Sequence, residues 1–182
     1  MIGFNALGYL GRLGNQMFQY ASLKGIARNR KYEYCFPPLG GAAEWKNVEQ
    51  YYQEINEGKA GHILLQPFTM EGNSQLNLQY IDKSRPVVQE KTFAFDEEIF
   101  NTCPDWVDIR GFFQTEKYFK HIRDEIKKDF TFRDEIINPC KEMVSGIEDP
   151  ISLHIRRTDY ITNSNHSTLE LDYYESALSN FD

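Results

Sequence analysis

Met1-Ile2-Gly3-Phe4-Asn5-Ala6-Leu7-Gly8-Tyr9-Leu10-Gly11-Arg12-Leu13-Gly14-Asn15-Gln16 opens the chain and decides its fold class. Residues 1–7 read as a short strand, and Gly8, Gly11 and Gly14 mark the turn that follows. From Asn15 to Arg30 the pattern is helical. Met17, Phe18, Ala21 and Ile26 can share an apolar stripe, and Arg28, Arg30 and Lys31 suit the negative end of the helix dipole. Tyr32–Phe36 reads as a second strand, stopped by Pro37-Pro38 and Gly40-Gly41. Strand, glycine turn, helix and strand together predict an α/β architecture with a Rossmann-like layered sheet.

The alternation continues downstream. A helix is expected around Trp45–Ile55, with short strands near His62–Gln66 and Val87–Lys91. Asp96, Glu97 and Glu98 begin a helix, where negative charge is favourable. Trp106–Phe113 reads as a strand, and Thr115 can cap a helical segment running through Lys128. A helix over Glu135–Ser145 follows, then an apolar strand opened by Pro150 that delivers His154 and the arginines, and a last helix over Asp172–Leu178. Gly146 and Pro150 interrupt the pattern, so residues 1–148 are expected to form an amino-terminal α/β domain. Residues 149–182 are too few for an independent domain and read as the start of a second, incomplete one.

Gly8, Gly11 and Gly14 do not have the spacing of a dinucleotide-binding loop, and no Gly-Lys-Ser/Thr ending of a phosphate loop follows. Part of the physical logic survives. Glycine lets a backbone approach a ligand closely, and the next helix aims free N–H groups at an anion, with Asn15 and Gln16 adding amide donors and acceptors. A tight turn with a capping Asn explains the same residues without a ligand.

The second chemical cluster is His154-Ile155-Arg156-Arg157-Thr158-Asp159-Tyr160, directly after the apolar Ile151 and Leu153. Arginine presents a rigid fork of donors that matches phosphate oxygens and stays charged near neutral pH. Strand alternation sends Arg156 and Arg157 to opposite faces, so one can bind a ligand while the other supports the site. Surface ion pairs with Asp159 or with Glu170, Asp172 and Glu175 are the alternative. His154 reads as a base, a donor to ligand or a satisfied core histidine. His62, His121 and His166 complete no metal-ligand spacing, and no Asp-x-Asp motif is present, so a metal-independent site is expected. The aromatic runs Phe93-Ala94-Phe95, Phe112-Phe113 and Tyr118-Phe119 are expected in the core.

The chain has 182 residues, 41% hydrophobic and 14% aromatic, enough for a real core. A formal net charge of −7 disfavours nonspecific nucleic-acid binding, so any phosphate site must be local. Cys35, Cys103 and Cys140 are odd in number and form no Cys-x-x-Cys pair, which fits a reducing, cytoplasmic setting better than a disulfide framework. No signal-peptide or membrane-spanning pattern is found, leaving peripheral membrane association as the one membrane role kept open.

Gly11-Arg12-Leu13-Gly14-Asn15-Gln16-Met17-Phe18-Gln19-Tyr20-Ala21 and Leu153-His154-Ile155-Arg156-Arg157-Thr158-Asp159-Tyr160 together resemble segments of the α-1,2-fucosyltransferase family. Phe93-Ala94-Phe95-Asp96, Gly111-Phe112-Phe113-Gln114-Thr115-Glu116-Lys117-Tyr118-Phe119 and Leu171-Asp172-Tyr173-Tyr174 resemble further family segments in the same order. The resemblance implies GDP-fucose as donor substrate and no cofactor, with inverting, metal-independent transfer to the 2-hydroxyl of a galactose-containing glycan. It also implies a two-domain fold of the GT-B type. By that resemblance Arg156 or Arg157 binds the diphosphate, and Arg12, Gly14, Asn15, Gln16 and Tyr160 belong to substrate-binding motifs. His154 and Asp159 are the candidates for the base, although Asp159 can equally lock an arginine rotamer. Thr158 stands where the family usually has glycine, and Gly8-Tyr9 is unusual before Gly11. The family continues beyond the equivalent of Asp182, so the donor domain is expected to be incomplete here. A noncatalytic glycan- or nucleotide-binding module is the rival reading, and a dinucleotide-dependent oxidoreductase a weaker third.

Overall fold

The structure, a computed structural model, describes residues 1–8, 10–36, 64–70, 84–155, 161 and 167–181. The chain divides into two compact units, Met1–Cys140 and Lys141–Asp182. In the first unit, β1 (Ile2–Gly3), β2 (Tyr34–Cys35), β3 (Val87–Gln89) and β4 (Asp108–Arg110) form a four-stranded sheet in the order β2-β1-β4-β3. Every neighbouring pair is parallel, with Ile2 opposite Tyr34, Gly3 opposite both Cys35 and Asp108, and Val88 opposite Ile109. Parallel neighbours need a crossover between them, and the helix α1 (Leu13–Arg30) supplies it from β1 to β2. The expected α/β class is therefore observed. The strand cores are shorter than the predicted spans 1–7, 32–36 and 87–91.

Helix α1 departs from the expected one-sided pattern. Ala21 and Ile26 are core residues, but so are Gln16, Gln19, Ser22 and Lys24, while Met17 and Phe18 are half-buried. The reason is that α1 is covered on more than one side, by the sheet and by the helix α2 (Glu97–Thr102) with the 3-10 turns Glu116–Tyr118 and Lys120–Ile122. Gly25 permits that second contact: an added Cβ would stand 2.1 Å from the Tyr118 carbonyl oxygen. Lys31 ends α1 in a left-handed conformation (φ 60°), its N–H turned back to the carbonyls of Ala27 and Arg28. At the other end, Gly14 lies inside the first helical turn and not in the preceding loop as expected.

The predicted strand over 106–113 shortens to β4 because Trp106 (φ 59°) and Phe113 (φ 51°) are both left-handed and frame it. Asp96 caps α2 as expected, its Oδ1 accepting the Ile99 N–H at 3.0 Å. Thr115 caps only a 3-10 turn, and the predicted continuous helix to Lys128 breaks before α3 (Arg123–Asp129). Helix α4 (Asp134–Met143) contains Pro139 and approximates the expected 135–145 helix. The aromatic cluster is largely core: Phe113 packs edge-on against Phe4 and Tyr118 at centroid distances of 6.0 and 5.2 Å. Phe93 is the exception, 69% exposed.

Two predicted strands are corrected. Of the strand expected near His62–Gln66, the described residues Leu64–Gln66 form none: Gln66 and Pro67 turn, Leu65 is buried, and Phe68 bridges Phe132 in antiparallel fashion, while His62 and Ile63 lie outside the described residues. Ile151–Ile155 pairs with no strand among the described residues and is exposed throughout; an apolar run without a hydrogen-bonding neighbour is not a strand. The helix expected over 45–55 lies outside the described residues. In the second unit, α5 (Leu171–Leu178) is close to the expected 172–178. Among the described residues, no helix is long and apolar enough to cross a membrane.

Candidate functional site

The carboxyl ends of β1 and β4 lie side by side, and in open parallel sheets this is where ligands gather. The chain leaving β1 reaches α1 through Gly11, whose φ of 78° suits glycine and whose added Cβ would meet the Asn15 side chain at 2.1 Å. Arg12, extended and exposed, occupies the N-cap position but makes no capping bond, and the first turn of α1 holds no acidic residue. The helix therefore starts with its positive dipole end unneutralised by side chains. Nothing lies within 4 Å of where a Gly14 Cβ would be.

From the β4 side, Gln114 projects onto the same helix start: its Nε2 donates to Asn15 Oδ1 at 2.5 Å. Asn15 is half-buried and Gln114 exposed, so an amide pair stands at the surface of the sheet's carboxyl edge. Gln16 is only 1% exposed and stands beneath this surface. Its Nε2 donates to the Gly11 carbonyl at 3.4 Å and its Oε1 accepts the Leu64 N–H at 2.7 Å. Gln19, also buried, donates to the carbonyls of Leu10 (3.0 Å) and Gly111 (3.2 Å) and so ties the two loops together. Those two carbonyls dictate its amide orientation and leave Oε1 without a partner among the described residues.

Three further polar groups were not anticipated from local pattern. Asp108 is buried between Gly3 and Val87 in the sheet, its Oδ1 accepting the Asn5 N–H at 2.7 Å. Burial raises its carboxyl above the usual range, against the opposing pull of the Asn5 N–H and Arg110. Burial, reinforced by Asp108, also lifts the Cys35 thiol to about 11, which makes a poor nucleophile. Lys24 and Asp129 form a buried ion pair at 2.6 Å, and Tyr20 donates to the same Asp129 oxygen at 2.8 Å. Burial raises both Asp129 and Tyr20; this cluster joins α1 to the end of α3 and has a structural character. The third group, Glu90, sits directly behind the Gln114 loop.

The predicted residues fall into two sets. Arg12, Gly14, Asn15 and Gln16 are brought together in the first unit, three of them accessible and Gln16 enclosed. His154 is exposed in the second unit, while Arg156, Arg157, Asp159 and Tyr160 lie outside the described residues. Among the described residues, no three His, Cys, Asp or Glu side chains are grouped so as to hold a metal ion.

No protein-family model matches the chain, and no solved structure matches it. Galactoside alpha-(1,2)-fucosyltransferase 1 of Bos taurus is 24% identical over 83% of the chain, and galactoside alpha-(1,2)-fucosyltransferase 2 of Mus musculus 25% over 87%. O-antigen biosynthesis glycosyltransferase WbnK of Escherichia coli is 26% identical over 92%. The chain spans 39% and 42% of those mammalian relatives and 65% of the bacterial one. At low identity but over most of its length, the chain is thus a homologue of galactoside α-1,2-fucosyltransferases and of an O-antigen glycosyltransferase.

Proposed function

We propose that this chain carries part of the site of a glycosyltransferase that moves L-fucose from GDP-fucose to the 2-hydroxyl of a galactoside, with inversion. The observation that carries the reading is the uncapped start of α1 beside the Asn15–Gln114 amide pair, in a chain similar to enzymes of that name. Side-chain amides both donate and accept, as sugar hydroxyls do, and a free helix start favours an anion. Residues 1–148 supply the acceptor side in this reading, and residues 149–182 begin the donor side of a GT-B arrangement.

Inversion is a single in-line displacement. The acceptor 2-oxygen forms its bond to the anomeric carbon as the bond from that carbon to the diphosphate oxygen breaks; the hydroxyl proton passes to a base and GDP departs. Arg156 carries most of the diphosphate charge in this assignment, Arg157 supports it, and His154 and Asp159 are the two candidates for the base.

Incubating the chain with GDP-fucose and a galactoside should release GDP in step with fucosylated product. Arg156→Ala should weaken GDP binding about ten- to a hundredfold, the loss of a charge-assisted hydrogen bond. Wild-type GDP affinity and transfer rate in that variant would remove Arg156 from its role. The rival reading is a noncatalytic glycan- or nucleotide-binding module. Binding of GDP-fucose or galactoside without GDP release would select it.

A further inference from the structure

We infer that Glu90, the residue after β3, is a positioning residue for the sugar-facing amide pair, holding Gln114 against Asn15 through the backbone of the loop after β4. The inference rests on the functional reading above for what the pair binds, and on geometry for how the pair is held. The Glu90 N–H donates to the Arg110 carbonyl at 2.8 Å, extending the β3–β4 pairing by one residue. Its carboxylate, in a side chain belonging to a residue only 9% exposed, then turns across the end of β4. Oε2 accepts the N–H groups of Phe112 at 2.7 Å and Phe113 at 3.0 Å, and Oε1 accepts Phe113 again at 3.1 Å.

This contact requires the residues around it to be what they are. A Cβ on Gly111 would stand 2.4 Å from Glu90 Cβ and 2.6 Å from Oε2, so glycine is what admits the carboxylate. Phe113 is left-handed at φ 51°, an uncommon conformation for a bulky residue, and its N–H is fixed by Glu90 while its ring is locked among Phe4 and Tyr118. With both amides held by one anion, the carbonyls of Gly111 and Phe113 face α1 and accept from Gln19 (3.2 Å) and Ser22 (3.3 Å). The next residue is Gln114, delivered to Asn15. A carboxylate accepting two backbone N–H groups is a stronger clamp than a neutral acceptor, and a loop anchored on both sides presents its side chain in one place.

The test uses the full chain as wild type, Glu90→Ala, Glu90→Gln, Gln114→Ala and the Glu90→Ala/Gln114→Ala double variant. Glu90→Ala is expected to raise the galactoside KM about three- to tenfold with a smaller change in kcat. Glu90→Gln should restore most of it, because one amide oxygen can take the place of Oε2. If Glu90 acts through Gln114, the double variant has the KM of Gln114→Ala alone; additive effects would overturn the inference. So would a Glu90→Ala protein with a lowered melting temperature and an unchanged KM. If the wild-type chain neither transfers fucose nor binds galactoside, the functional reading fails by itself. The positioning is then decided by NMR: the Gln114 side-chain amide resonances should move in Glu90→Ala and return in Glu90→Gln, and resonances unmoved by Glu90→Ala overturn it.

Discussion

Gly14 and Gly25 lie on one helix and predict opposite outcomes on substitution. Space is open where a Gly14 Cβ would go, so Gly14→Ala should raise stability by about 0.5 kcal/mol through helix propensity, read by thermal unfolding. At Gly25 the added carbon would meet the Tyr118 backbone at 2.1 Å, and backbone cannot yield as a flexible side chain can. Gly25→Ala should therefore cost about 1–3 kcal/mol, more than the propensity gain of about 1. Both glycines look alike in sequence; only the second packing layer separates them. Asp108 supplies a pH prediction. Because burial raises its folded carboxyl above the unfolded value, the folded state binds the proton more readily. Its ionisation thus lowers stability progressively as pH rises from the unfolded carboxyl value through the folded one, and the penalty is absent below both. Asp108→Asn can keep an oxygen facing the Asn5 N–H without that penalty. Urea unfolding should find the variant at least as stable as wild type at neutral pH, with its relative advantage shrinking as the pH is lowered.

At the scale of the element, α1 begins without a side-chain cap although it is the longest helix described. An uncapped start costs stability and keeps N–H groups available, a combination that fits a ligand-facing terminus. Arg12→Asp should stabilise the chain by about 0.5–2 kcal/mol as an N-cap and weaken GDP or galactoside binding, measured by thermal unfolding and calorimetry. Greater stability with undiminished binding of both would place the ligands elsewhere. The existence of α1, α2 and α5 was legible in the sequence, since Asp96 and the apolar spacing report local preference. The breaks were less so. Trp106 and Phe113 sit in an apolar run that reads as strand, yet both are left-handed, and the N–H of each is held by a partner distant in sequence: Trp106 by the Met1 carbonyl at 2.8 Å and Phe113 by Glu90.

At the scale of the whole molecule, the two units differ in how much they enclose. Unit Met1–Cys140 buries Ile2, Phe4, Leu23, Ile26, Ile109 and Tyr118 around its sheet, whereas none of the described residues of Lys141–Asp182 is buried. Hydrogen exchange should accordingly be fastest through the described residues after 140, α5 included, and slowest in the middle of α1; equal protection would contradict the burial pattern. The strand–glycine–helix opening, the α/β class and the motifs that resemble α-1,2-fucosyltransferases could all be read from sequence, because each is written in neighbouring residues. What only the tertiary structure decided is which polar residues go inside. Gln16, Gln19, Lys24 and Glu90 look like surface residues locally, yet Lys24 finds Asp129 across 105 positions and Glu90 finds two backbone amides beyond β4. A buried polar group is stable only with its partners, and partners distant in sequence leave no trace in local periodicity.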